Sequence, residues 1–207
     1  MVGHRMADKR LSDAAPDCPR QCFVVGYRAI QQSRLNRLHG KAALLFVNVL
    51  ENAGGVQSSY LFANASWANL ANGLGFIHPP LIQSPELSQF SNRPQLAGFF
   101  DSIMVRQDGA CEASGWAVIP KGLRPADAVL LTYDDSVKGP VAFAVAAPST
   151  PRPEVVDALH DARYEYSGWL CKFRRSTVPA GDQLITAWSL NADKMVVRSL
   201  ITQHTLP

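Results

Sequence analysis

The sequence predicts a mainly β fold: a seven-stranded, immunoglobulin-like antiparallel β-sandwich preceded by an N-terminal helical segment. Two observations lead to this prediction. From residue 98 onward, short runs rich in β-branched and aromatic residues alternate with turn residues, at a pitch typical of sandwich domains. Before residue 78, apolar residues instead recur every three or four positions, which is the period of an α-helix.

The composition of the chain supports a folded core. Of its 207 residues, 47% are hydrophobic and 18% are charged, which is typical of a globular protein and not of a disordered chain. The formal charge of +3 is not gathered into a basic stripe interleaved with aromatic residues, so nucleic acid is not an expected partner. The longest apolar run, 42–50, is shorter than the about 18 residues that a membrane-spanning helix needs.

The part of the chain before the sandwich divides into three predicted segments. Residues 1–26 contain charges and prolines without a hydrophobic stretch, so they predict a poorly ordered leader and no secretory signal. Residues 27–77 form a helical segment whose second helix covers 61–74 and stops at a glycine. For residues 44–50, the letters LLFVNVL leave both a helix and a buried strand open. Residues 78–97 contain four prolines and predict a linker or an extended surface crossing.

Residues 98–207 form the predicted sandwich domain. Seven strands are expected there, separated by turn residues such as Asp108-Gly109. These strands cover 98–105, 111–119, 126–134, 140–147, 165–174, 183–190 and 194–202. One short helix is predicted over 152–162, where Pro153 suits the first helical turn.

The tripeptide Ser-Gly-Trp occurs twice, at 114–116 and at 167–169, although the chain has only four tryptophans. Each copy is followed by Pro-Ala and then by Leu-Leu-Thr or Leu-Ile-Thr at nearly the same spacing. This order predicts either a weak internal duplication of a strand–loop–hairpin unit or a coincidence between two similar hairpins. The glycine beside each indole predicts a clearance for a crossing chain or for an aromatic ring of a neighbouring strand.

The alternation of side chains along a strand predicts which aromatic residues enter the core. In the second copy, Trp169 shares one strand face with Cys171 and Phe173, while charged residues take the other face. The same reasoning applied to the other strands gives the predicted structural core residues Trp116, Trp169, Trp188 and Phe143.

No motif in the sequence carries catalysis. The chain lacks the G-x-S-x-G elbow, the H-E-x-x-H helix motif, the P-loop and the G-x-G-x-x-G pattern, so we predict no catalytic residue and no cofactor. Cys18 and Cys22 lack the further ligands that a zinc site needs, and Asp134-Asp135 is read as a solvated turn and not as a metal site. Cys111 and Cys171 are predicted as small buried side chains, which only an oxidising compartment would join in a disulfide.

Four aromatic residues offer an alternative role for some of these positions. If these four side chains lie on one surface, they form a stacking platform for a sugar. The alternation of side chains along the strand argues against this, because it turns Trp188, the largest of the four rings, toward the core. The candidate platform consists of Tyr133, Tyr164, Tyr166 and Trp188.

An ordered set of short motifs, preceded by the stretch ANLANGLGFIHPPLIQS at 68–84, carries a family resemblance over about residues 38–202. Its pieces are GFFD at 98–101, SGWA at 114–117, RPADAVLLT at 124–132, RPEV at 152–155 and SGW at 167–169. In this order they resemble the C-terminal extracytoplasmic tail of large bacterial polytopic membrane proteins whose membrane part is glycosyltransferase-like. The resemblance implies a β-sandwich module outside the membrane, and it carries over no catalytic residue.

The functional prediction is a non-catalytic accessory or binding module. As the resemblance implies, it would be the separated tail of a membrane-embedded glycosyltransferase-like protein, with that polytopic protein or a cell-surface glycan as its partner. One alternative is a structural protein-interaction module without a small-molecule ligand, docking through the helical face around Leu38, Leu45 and Phe46. Another is a truncated gene product without independent function. The resemblance predicts the extracytoplasmic face of the membrane, whereas the chain as written, lacking a signal peptide, predicts the cytoplasm.

Overall fold

The computed structural model describes residue 33 and residues 36–51, 65–93 and 96–207. Residues 35–207 group into one compact unit. The leader predicted over 1–26 lies outside the described residues, as do the first residues, 61–64, of the second predicted helix. Within the described ranges, no helix has the length and apolar character needed to cross a membrane.

The described ranges contain three α-helices. They are α1 over 36–45, α2 over Ala65–Gly73 and α3 over Pro153–Leu159. Turns over 46–49 follow α1. Residues 44–50, for which the sequence allows either a helix or a strand, are therefore the end of a helix followed by turns. Gly75 takes a left-handed φ of 77°, and Phe76 N donates to Ala71 O at 2.9 Å, which ends α2 close to the predicted glycine stop.

Nine strands hold far more of the described residues than the three helices do, which confirms the prediction of a mainly β fold. The seven longer ones overlap the seven predicted runs. The strands are β1 (Ser91–Asn92), β2 (Gly98–Val105), β3 (Ala110–Ile119), β4 (Arg124–Pro125), β5 (Ala128–Asp135), β6 (Gly139–Ala146), β7 (Gly168–Arg174), β8 (Gln183–Asn191) and β9 (Val196–Leu206).

The strands join into one curled, mixed sheet. Their order is β4-β3-β2-β9-β8-β5-β6, with β7 also beside β3 and β1 also beside β9. The prediction that all strands are antiparallel is wrong, because β9 runs parallel to β1 and, at the pair Phe99–Ile201, parallel to β2. The finer prediction of an immunoglobulin-like sandwich is not confirmed by this connectivity.

Strand β9 is the physical reason for the mixed sheet. It shifts register against β8 between Thr186 and Trp188, and Thr202 within it has a left-handed φ of 65°. Irregularities of this kind bend a strand and strengthen its twist. The bend allows one 11-residue strand to pair with β8 along its length and to reach the edge of β2 as well.

Two hydrophobic clusters cover the two faces of the sheet. The main core draws on β2, β3 and β5–β9, and its largest fully buried side chains include Trp169 and Phe100. On the other face, Leu45 and Phe46 at the end of α1 pack with Leu130 of β5. Leu45 and Phe46 are 1% and 0% exposed, so these two residues of the predicted docking face are covered by the sheet, while Leu38 is half-buried.

The proline-rich segment over 78–97 packs onto the sheet in its described part. Leu81, Ile82 and Leu87 are buried within the hydrophobic clusters. Ala142 N of β6 donates to Pro85 O at 2.8 Å, so the segment also bonds to a sheet edge. The described residues of this segment therefore pack as part of the same domain as the sheet.

Candidate functional site

The two Ser-Gly-Trp copies are direct cross-strand partners in the β3–β7 pair. Gly115 lies opposite Trp169, and Trp116 lies opposite Gly168. A Cβ atom on Gly115 would come within 2.8 Å of the Trp169 ring, and one on Gly168 would come within 2.8 Å of Thr150 O. The first glycine therefore makes room for an aromatic ring and the second for a crossing chain, which are the two uses predicted for the clearance.

Equivalent positions of the two repeated units also meet in the β5–β8 pair. Thr132 and Thr186, which end the matching Leu-Leu-Thr and Leu-Ile-Thr runs, lie opposite each other. The Thr132 hydroxyl donates to Thr186 O at 3.3 Å and accepts from Trp188 Nε1 at 2.9 Å. Both pairings set equivalent positions of the two units opposite each other on antiparallel strands, which agrees with an internal duplication.

The motifs behind the family resemblance gather around this pair of strands. Arg152 of the RPEV motif donates to Asp101 Oδ2 of the GFFD motif at 2.8 Å, and its side chain lies over Gly168. In the RPAD motif, Arg124 binds Asp127 through both guanidinium ends, and Asp127 Oδ2 also accepts from Ala192 N at 2.9 Å. The charged residues of these motifs thus hold strands and loops together.

The four predicted core residues differ in burial. Trp169 and Trp188 are 2% and 8% exposed, one in the main core and the other in the cluster under α1. Trp116 is only half-buried, because its face of β3 is covered by Val155 of α3 and by Tyr164 and not by a second sheet layer. Phe143 is half-buried as well, because it stands beside an opening at the edge of the sheet.

This opening lies between the edge strands β6 and β7, where the curled sheet does not close. At one end the two edges meet: Gly168 N donates to Thr150 O at 3.0 Å, and the Cys171 thiol lies 3.9 Å from Val145 O. Toward the start of β6 they separate and leave a groove of about 660 Å³. We call it the seam groove; its wall and end residues are Tyr133, Phe143, Phe173, Arg174, Ser176 and Thr177, faced by Val49, Leu50, Glu51 and Pro85.

Three aromatic rings form one wall of the seam groove. The centroid of the Phe143 ring lies 5.0 Å from that of Phe173, edge to face, and 6.3 Å from that of Tyr133. All three side chains are half-buried and pack against the main core. The core therefore fixes the rings in place while part of each ring remains accessible.

Polar groups at the end of β7 complete the groove. Arg174, Ser176 and Thr177 are exposed and line the groove. The neighbouring Arg175 holds the turn, because its guanidinium donates to Val178 O at 3.1 Å and to Gly181 O at 2.8 Å. The turn thus presents the Arg174 guanidinium and the Ser176 hydroxyl beside the aromatic wall. The Thr177 hydroxyl donates to Arg174 O at 2.7 Å and holds the turn itself.

The groove lining offers little for acid–base chemistry. Among its described residues Glu51 is the one carboxylate, and histidine, cysteine and lysine do not occur there. Likewise, no group of three or more metal-ligating side chains occurs in the part of the chain that the structure describes.

The two described cysteines do not form a disulfide. They lie on adjacent strands, but Cys171 stands opposite Ala113 and Cys111 stands opposite Phe173. Burial raises the pKa of Cys171 to about 12 and also raises the pKa of Cys111. Both side chains are therefore protonated at neutral pH and behave as small core residues, which makes neither a nucleophile.

A buried polar cluster under α1 joins three elements. Burial raises the pKa of Asp127 even though the bonds from Arg124 oppose that change. Burial, reinforced by the charge of Arg124, lowers the pKa of His39 to about 4, so this imidazole is neutral at pH 7. Lys41 on the same helix pairs with Asp193 in the β8–β9 turn. The cluster fastens α1 to the sheet.

The predicted stacking platform does not form. Tyr164 is buried and donates its hydroxyl to Pro120 O at 3.2 Å, and Trp188 is buried against Thr132. Tyr133 alone of the four reaches the seam groove, where Phe143 and Phe173 replace the expected partners. The alternation pattern turned Phe173 inward correctly, but only the approach of β6 to β7 brings it beside Phe143.

Comparisons with protein-family models and with curated proteins find no match for this chain. The resemblance to membrane-protein tails consequently depends on the motifs alone.

Proposed function

We propose that the chain is a non-catalytic binding module that holds a saccharide in the seam groove. The observation that carries the proposal is the fixed aromatic wall of Tyr133, Phe143 and Phe173 beside the polar end at Arg174. A pyranose ring has an apolar C–H face that packs on an aromatic ring, and its hydroxyls accept from guanidinium and hydroxyl donors. Sites for small molecules commonly combine apolar walls with a few convergent polar groups in this way.

The size and openness of the groove agree with such a ligand. Its volume of about 660 Å³ falls within the about 300–1,000 Å³ common for small-molecule sites. A purely apolar ligand would cover the Arg174 guanidinium without giving it a hydrogen-bond acceptor, which costs free energy. A hydroxyl-rich ligand supplies that acceptor. The rings are already held by the core, so binding loses little side-chain entropy.

Titration of the purified chain with a panel of surface saccharides, followed by calorimetry, tests the proposal. Phe173→Leu keeps the apolar volume but removes the ring, and Arg174→Ala removes the donor; we expect each to weaken binding at least tenfold. Lys172→Ala is the matched control for Arg174, because Lys172 is an exposed cation on the same strand but lies outside the groove. The proposal fails if no saccharide binds, or if both groove variants bind like the control.

We further propose that this module is the extracytoplasmic tail of a polytopic, glycosyltransferase-like membrane protein, as the ordered motif set suggests. The immunoglobulin-like sandwich belongs to this proposal: β6-β5-β8-β9 and β2-β3-β7 would be its two layers, with the main core between them. Supporting it, the core cluster draws on both groups of strands. Protease added outside intact cells that express the chain should degrade it, and its protection inside the cytoplasm would contradict this placement.

A further inference from the structure

Helix α2 exposes its large apolar side chains and turns its small ones toward the protein. Trp67 and Leu70 are 62% and 53% exposed, whereas Ala68 and Ala71, at 0% and 7%, face the protein. A surface helix normally turns its large apolar side chains toward the core. In α2 the small residues fill that role, and the large ones are mostly exposed.

The exposed apolar surface continues past the end of the helix. Leu74 is 63% exposed and Phe76 is 77% exposed, on either side of the left-handed Gly75. Residues three and four positions apart share one face of a helix, so Trp67, Leu70 and Leu74 form a row. We call Trp67, Leu70, Leu74 and Phe76 the α2 ridge. An apolar surface of this kind, concentrated in one place, marks an interaction site.

Charge is absent from this part of the sequence. Residues 52–85 contain no aspartate, glutamate, lysine or arginine, although such residues make up 18% of the chain. The exposed polar side chains between the ridge residues, Ser66 and Asn69, are neutral. The contact regions of protein partners are usually bordered by a polar, charged rim. Uncharged side chains such as these can instead enter the interfacial region of a lipid bilayer without the cost of removing an ion from water.

We propose that the α2 ridge docks onto the surface of a lipid bilayer, with the helix lying in the headgroup region and its large side chains reaching the acyl boundary. Tryptophan prefers this region because its ring is apolar and its N–H remains near water. Leucine and phenylalanine add the apolar area on which the affinity of interfacial helices depends. The docking does not depend on the saccharide proposed for the seam groove.

The absence of charge determines how the docking should behave. A basic helix requires anionic lipids and is released by salt, because its attraction is electrostatic. The α2 ridge should bind neutral phosphatidylcholine vesicles, and 0.5 M sodium chloride should leave the bound fraction nearly unchanged. These properties separate it from the general attraction of a chain with a formal charge of +3 to acidic surfaces.

Flotation of the full chain with neutral phosphatidylcholine vesicles tests the proposal. The double variant Leu74→Ser, Phe76→Ser changes exposed positions after the last turn of α2, so we expect the fold to remain and the partition coefficient to fall at least tenfold. Val137→Ser is the matched control, because Val137 is 90% exposed in the β5–β6 turn, and it should float like the unchanged chain. Circular dichroism of each variant checks the fold.

Quenching of tryptophan fluorescence by brominated phosphatidylcholine gives a second reading without any substitution. Trp67 is the one exposed tryptophan of the four, since Trp169 and Trp188 are 2% and 8% exposed and Trp116 is half-buried. Quenching of the exposed component is the expected result. The proposal is overturned if the chain does not float, if the double variant floats equally well, or if binding requires anionic lipid. It is also overturned if the same substitutions instead abolish self-association of the chain measured without vesicles, which would assign the ridge to a second copy.

Discussion

The two edges of strand β7 differ in what they do. Along one edge, seven residue pairs join β7 to β3 and bring the two Ser-Gly-Trp copies together. Along the other edge, β7 meets β6 only near Val145 and then diverges to form the seam groove. The comparison separates two roles within one strand: the paired edge holds the fold, and the open edge exposes side chains that a ligand can reach.

The paired edge predicts the largest loss of stability. Trp169→Ala should lower the free energy of unfolding by about 3–5 kcal/mol, because it leaves a large cavity in the main core. Trp116→Ala should cost clearly less, since that indole is half-buried. Chemical denaturation of both variants measures the difference. Equal losses would show that the two copies contribute alike and would contradict the asymmetry.

A smaller but substantial loss is expected where the two copies touch. The added methyl of Gly115→Ala would overlap the Phe99 carbonyl and the Trp169 ring, and should cost about 3 kcal/mol. Gly73→Ala adds the same group at a helical position with no atom within 4 Å, so it should be neutral or stabilise the chain slightly. Thermal unfolding of the pair decides the matter: a tolerated Gly115→Ala would mean that β3 and β7 do not pack this closely.

The attachment of α1 to the sheet should weaken in acid. The pKa of His39 is lowered from 6.5 to about 4 in the fold, so between these values the unfolded chain takes up a proton that the folded chain refuses. Stability should therefore fall as pH drops from 6.5 to 4, by at most about 3 kcal/mol. The raised pKa of Asp127 has the opposite effect on the free energy of unfolding at low pH. Because Asp127 is present in both proteins, the difference between the unchanged chain and His39→Leu isolates the effect of His39. A variant with the same pH profile as the unchanged chain would contradict the assignment.

One substitution should strengthen the scaffold. Arg198 is 6% exposed, and its Nε and Nη1 atoms have no hydrogen-bond partner among the residues that the structure describes. Burial, with the nearby charge of Arg93, lowers its pKa, which indicates an unfavourable setting for a cation. Arg198→Met should therefore raise the free energy of unfolding by about 1–2 kcal/mol. The control Arg106→Met, at an exposed position, should change it little; a destabilised Arg198→Met would show that the guanidinium has a role in the fold.

At the open edge, a substitution should affect saccharide binding more than stability. Phe173→Leu keeps most of the apolar volume, so it should cost less than about 1.5 kcal/mol of stability while removing saccharide binding. Denaturation and calorimetry on the same sample compare the two effects. A large loss of stability with unchanged binding would move Phe173 from the binding site to the scaffold.

Local patterns in the sequence account for the elements but not for their closure. Alternation and turn residues placed the strands, and the glycine beside each indole predicted the clearance found at Gly115 and Gly168. They did not reveal that Trp116 faces only α3 and a short turn, because the cover of a sheet face depends on distant segments. Nor did they reveal the seam groove, since Phe143 and Phe173 become neighbours only when the curled sheet brings its two edges together.

The most direct test of the two-edge account is a nuclear magnetic resonance titration of the labelled chain with a saccharide that binds it. The account predicts shifts confined to the open edge, at Phe143, Phe173, Arg174 and the following turn, with the amides of Gly115 and Gly168 unchanged. Shifts centred on the Ser-Gly-Trp pair, or spread evenly over the sheet, would contradict it.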